Sequence, residues 1–108
     1  MRLGAYDCQI KKETHGARDY KSTHISERHR HRLEVNNAYV DSLITNGMEV
    51  SGINKEFDLV EIIEIPKHPY FIACQYHPEF KSKPDKTHPL FFEFISASRK
   101  FKTGELSV

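Results

Sequence analysis

Hydrophobic and polar positions change period several times along the chain, with prolines, glycines and asparagines marking the breaks. Residues 5–10 (Ala5-Tyr6-Asp7-Cys8-Gln9-Ile10) partly alternate and read as a short strand. Residues 11–32 hold few apolar side chains and show no period, so they read as a surface loop followed by an extended run. Asn36-Asn37 supplies a helix N-cap, Tyr39, Val40, Leu43 and Ile44 follow at helical spacing, and Asn46-Gly47 ends the helix. Residues 48–53 form a short strand, residues 54–58 a turn, and residues 59–65 a strand rich in β-branched residues. Pro66-Lys67-His68-Pro69 breaks the pattern, because two prolines cannot both donate to a ladder. Residues 70–76 resume as a nearly continuous apolar strand, the kind buried on both faces, and complete a hairpin. Pro89 stands at a first helical position, with Leu90, Phe91, Phe94, Ile95 and Phe101 on one apolar stripe. The tail 102–108 is polar and predicted to fray. The pattern therefore predicts an α/β chain with two helices.

Composition narrows the class of protein. The chain has 108 residues, 38% of them hydrophobic and 29% charged, which suits one soluble globular domain and is too apolar for disorder. Sixteen Lys+Arg against fifteen Asp+Glu leave a formal charge of +1, so there is no global pull towards nucleic acid or acidic membranes. No apolar run is long enough to span a bilayer, and no signal peptide is visible at the N-terminus. Cys8 and Cys74 cannot make a disulfide scaffold and suit a reducing, cytoplasmic location.

The sharpest chemical feature is Gln75-Tyr76-His77-Pro78-Glu79-Phe80. His77 follows the end of a predicted strand, Pro78 sets the backbone direction, and Glu79 is two residues on. An imidazole can take a proton from a nucleophile while a carboxylate on its other nitrogen fixes the tautomer. The residues alone leave open the plainer and commoner reading of a strand-end histidine beside a solvated glutamate. Cys74 and Cys8 both lack the small-residue strand-to-helix turn of a nucleophile elbow, and Cys74 reads as a buried, inert thiol.

A second feature is Glu27-Arg28-His29-Arg30-His31-Arg32. On a strand Arg28, Arg30 and Arg32 share one face and the histidines the other, an arrangement suited to phosphate, nucleic acid or a substrate carboxylate. A solvated edge paired with nearby acids is the plainer alternative. Seven histidines raise a metal question, but His29 and His31 stand among arginines without ligand spacing, so no metal site is expected. His68 and His88 each precede a proline and read as turn or cap residues. There is no Gly-rich phosphate loop.

Residues 1–4 (MRLG), 27–37 (ERHRHRLEVNN), 59–71 (LVEIIEIPKHPYF), 75–80 (QYHPEF) and 88–91 (HPLF) together resemble the C-terminal part of the class I glutamine amidotransferase domain in the CTP synthase family. The resemblance covers roughly residues 1–101. Gln-x-His-Pro-Glu is shared widely among class I amidotransferases, whereas the arginine–histidine run followed by Glu-Val-Asn-Asn is far more particular. The resemblance implies a flavodoxin-like domain centred on a mainly parallel sheet, of which this chain is an incomplete part. It implies that His77 and Glu79 are the catalytic histidine and glutamate, completing a triad with a cysteine, and that Arg32 helps hold L-glutamine. It implies ammonia transfer to a synthetase domain that uses ATP, UTP and Mg2+, with GTP as activator, in a homo-oligomeric enzyme. Leu33 departs from the aromatic that is usual in the family. The Gly-x-Cys-x-Gly elbow, the oxyanion-forming glycines and the synthetase domain have no match here. The chain is therefore expected to be a C-terminal fragment, with residues 1–101 a partial amidotransferase domain, no cofactor of its own and no activity alone. The rival expectations are a non-catalytic module complementing another chain, and a phosphate or nucleic-acid binder acting through Arg28, Arg30 and Arg32.

Overall fold

A computed structural model describes residues 2–104. The elements run β1 (Arg2–Ile10), α1 (His15–Tyr20), β2 (His24–His31), α2 (Val40–Thr45), β3 (Glu49–Asn54), β4 (Leu59–Glu64), β5 (Ile72–Cys74) and α3 (Pro89–Lys102), with single 3-10 turns at Asn37–Tyr39 and Pro78–Phe80. The strands form one sheet in the order β2-β1-β3-β4-β5, and every pairing is antiparallel. The described strands thus form none of the parallel pairings implied by the resemblance. Their links within β3-β4-β5 are short hairpins, which can join only antiparallel neighbours.

The sheet curls so that the segment after β5 reaches its far edge strand. Beyond β5 the chain crosses to β2, where the His77 amide donates to the Arg28 carbonyl at 2.9 Å and the Lys81 ammonium to the Ser26 carbonyl at 2.7 Å. Inside the curl lie Cys8, Ile10, Ile62, Tyr76 and Leu90. The interior is unusually polar, for Arg2, Glu27, His29, Glu61 and Glu64 are buried with them.

Three features differ from the sequence expectation. A third helix, α1, stands where a loop was expected, since nothing apolar recurs in it. Thr14 caps it, and the buried Glu64 carboxylate accepts from the His15 and Gly16 amides at 2.8 and 2.9 Å. A partner 48 residues away thus satisfies donors that a helix start leaves free. The apolar run 70–76 keeps only three residues in β5, all half-buried, because β5 is the sheet edge and Pro69 stands close before it. The apolar stripe of α3 is mostly uncovered. Only Leu90 is buried there, while Phe91, Phe92, Phe94, Ile95 and Phe101 are exposed.

The β4–β5 hairpin, the helix α2 and the strand β3 stand where expected, although Asn36 caps the 3-10 turn Asn37–Tyr39 that leads into α2 and not α2 itself. His68 Nδ1 accepts from the Tyr70 amide and His88 Nδ1 from the Leu90 amide, each at 3.1 Å, so both serve as turn or cap residues. The predicted tail falls in part on residues 105–108, outside the described residues.

Candidate active site

The bridge from β5 to β2 carries His77. Its amide is tied to β2, and Pro78 then opens a 3-10 turn closed by the Phe80 amide on the His77 carbonyl at 3.1 Å. The turn brings Glu79 alongside the imidazole, and His77 Nδ1 lies 2.9 Å from Glu79 Oε2. Phe80 stacks on the other side of the histidine, with ring centroids 5.0 Å apart and planes 17° from parallel. The hydrogen bond from His77 holds the Glu79 carboxyl below the usual range, helped by its own backbone. An ionised carboxylate only accepts, so the proton sits on Nδ1 and the lone pair of neutral His77 on Nε2. Both side chains are partly open to solvent, at 36% and 55% exposure.

Neither thiol shares this site as a nucleophile. Cys8 is buried, and desolvation, then Glu61 and Glu27, push its pKa to about 12. Cys74 is half-buried in β5 with its Sγ 3.6 Å from the Tyr76 carbonyl, and burial, Glu27, Glu79 and Glu61 push it to about 12 as well. A reactive cysteine needs a stabilised thiolate, and both surroundings do the reverse.

The alternating run lies on β2 as expected from period two. Arg28 and Arg30 face solvent, while Glu27 and His29 are buried and His31 is half-buried. Arg32 falls just beyond the strand and is exposed, and no hydrogen bond or ion pair among the described residues joins it to His77 or Glu79. The exposed arginines on this edge strand and the acid partners of its histidines match the plainer alternative, except that the inward pairs are largely buried. His29 Nε2 sits 2.7 Å from Glu61 Oε2, off the N–H axis, and its Nδ1 sits 2.9 Å from His31 Nε2. Arg2 bridges Glu61 and Glu34. Glu27 pairs with His88 and accepts from the Tyr20 hydroxyl at 2.6 Å. Sequence reading passed over Tyr20 and Glu61, took Glu27 only as the start of the run, and took His88 only as a turn or cap residue. The strand alternation places Glu27 inward with His29, but nothing local pairs it with residues seven and 61 positions away.

Among the described residues no cluster of three potential metal-ligating side chains occurs. No described helix is long and apolar enough to cross a membrane.

The family model for class I glutamine amidotransferases matches residues 1–97. The chain belongs to that family. This amidotransferase chain is 58% identical over 98 residues to a CTP synthase of Geobacter sulfurreducens, covering 91% of itself and 18% of that protein. It is 54% identical over 105 residues to a CTP synthase of Methanosphaera stadtmanae, covering 97% of itself and 20% of the relative. The amidotransferase chain thus spans about a fifth of the length of these curated relatives. Its fold matches the glutaminase domain of Trypanosoma brucei CTPS, solved with bound acivicin, at a TM-score of 0.87 and 40% identity. That match covers 93% of the amidotransferase chain and 40% of the solved one.

Proposed function

We propose that this chain supplies the His77–Glu79 half of a Cys–His–Glu glutaminase centre of the CTP synthase type, with L-glutamine as substrate. The observation that carries the reading is the 2.9 Å Nδ1–Oε2 pair, held on the bridge between β5 and β2 with both side chains partly open to solvent. Neutral His77 Nε2 takes the proton of a cysteine thiol in the rest of the domain, and the resulting thiolate attacks the side-chain carboxamide of glutamine. The carbonyl π-bond opens to a tetrahedral oxyanion, and its collapse forms a thioester. His77 Nε2–H protonates the departing ammonia, and neutral Nε2 then takes a proton from the water that hydrolyses the thioester. Glu79 keeps the imidazole in one tautomer and stabilises its cationic form. Arg32, exposed and without a hydrogen-bond or ion-pair partner among the described residues, is available for the glutamine carboxylate.

The ammonia serves the ATP-dependent amination of UTP to CTP in a longer enzyme. In this proposal ATP and Mg2+ act in the synthetase part of that longer enzyme. No step of that half-reaction is derived from this chain.

The nucleophile must come from a partner surface, the remainder of the same domain. The open edge of β5 and the uncovered aromatic face of α3 are its seat. The 40% coverage of the solved glutaminase domain leaves ample chain to occupy it. The test is ammonia release from glutamine by the purified chain, alone and mixed with the complementary part of a CTP synthase glutaminase domain. Activity is expected only in the mixture and only with His77 intact. Ammonia release by the chain alone above a His77→Ala control, or an active mixture carrying His77→Ala, overturns the proposal.

A further inference from the structure

Tyr76 immediately precedes His77, is 4% exposed, and reaches a buried ring of polar contacts with its hydroxyl. That hydroxyl lies 2.9 Å from the Tyr20 hydroxyl, which gives its single proton to Glu27 Oε2 at 2.6 Å. Tyr76 is therefore the donor to Tyr20. The same Glu27 oxygen pairs with His88 Nε2. His88 Nδ1 accepts from the Leu90 amide, so Nε2 carries the proton in the neutral ring and points it at Glu27.

The contacts close into a loop. Glu27 is bonded to Arg28, the Arg28 carbonyl receives the His77 amide, and His77 is bonded to Tyr76. The loop joins α1 through Tyr20, β2 through Glu27, the start of α3 through His88, and the bridge through Tyr76. Burial, first of all, pushes both phenols up in pKa and keeps them as donors.

We propose that Tyr20, Glu27 and Tyr76 are positioning residues, holding the His77 backbone on β2 through the Tyr76–Tyr20–Glu27 chain of hydrogen bonds. The assignment rests on the glutaminase reading for its purpose, but its geometry is independent of it. Packing alone needs no hydroxyl on either ring, and a buried phenol without a partner is costly. The hydroxyls instead link the residue before His77 to the residue before its hydrogen-bond acceptor.

The test is amide hydrogen exchange on the full 108-residue chain, comparing the parent with Tyr76→Phe and Tyr20→Phe. Each variant keeps the ring and removes one hydroxyl. Exchange at the His77 amide is expected to accelerate about tenfold more than at Ile62 in the core. A purely structural role accelerates both amides by one common factor, and that result, or an unchanged His77 amide, overturns the assignment. If Tyr20→Phe fails to fold, Tyr76→Phe decides, since it leaves Glu27 held by Tyr20 and His88. The readout is the His77 amide and not glutamine turnover, so failure of the glutaminase reading leaves this test intact.

Discussion

The His77 amide donates to the Arg28 carbonyl across 2.9 Å, and this single bond joins the two motifs that stand out in the sequence. One motif carries the imidazole, and the other carries the arginines on its outer face and a buried carboxylate on its inner face. Because β2 and β5 are opposite edges of the sheet, the return of the segment after β5 to β2 follows from the sheet's curl.

Asp19 gives a pH-dependent prediction. Burial raises its carboxyl to about 6, against the lowering effect of the Tyr70 hydroxyl that donates to it at 2.6 Å. The folded chain therefore holds a proton that the unfolded chain releases from about pH 4 upward. Stability falls as pH rises through this window, and the cost of the ionised form is fully present above about 6. Asp19→Asn keeps an acceptor for Tyr70 and is expected to raise the urea midpoint at pH 7 but hardly at pH 4. Equal shifts at both values contradict the assignment.

Gly52 lies opposite Ile62 at a register shift in β3. An added Cβ there would stand 2.7 Å from Ile62 Cδ1 and 2.9 Å from Cys8 Sγ. Both neighbours are fully buried and have no free space to retreat into. Gly52→Ala is expected to destabilise the fold by about 1–3 kcal/mol, measured by equilibrium urea unfolding. An unchanged midpoint contradicts this packing.

The thiols are expected to be inert in the folded chain. With pKa values near 12, Cys8 and Cys74 hold on the order of one thiolate in ten thousand at pH 8. Iodoacetamide at that pH should label neither residue at the rate seen in urea, with mass spectrometry locating the adducts. Rapid labelling of Cys74 in the native state would reopen it as a nucleophile.

Local signals in the sequence account for much of the architecture. Asn36 through its side chain marks the 3-10 turn before α2, Gly47 and Pro89 mark helix ends through their backbone preferences, and the β-branched run over β4 marks a strand. The pairing of His77 with Glu79 was also legible, since a 3-10 turn after Pro78 acts over three residues. The α1 helix was not, because its first amides are satisfied by Glu64, far along the chain. The extent of β5 was not legible either. An apolar run indicates burial, but residues 70–76 do not say whether a second neighbouring strand is present.

Sequence by itself determined that this is an α/β chain whose His77 and Glu79 lie close, because side chains two residues apart on a proline-led turn have little freedom to separate. It also placed Arg28 and Arg30 opposite His29, through the two-residue period of a strand. Only the tertiary structure decided that Glu27, His29, Glu61 and His88 are buried and that the segment carrying His77 ties back to the far edge of the sheet. Those contacts depend on the curl of the whole sheet, a property that no local run of residues carries.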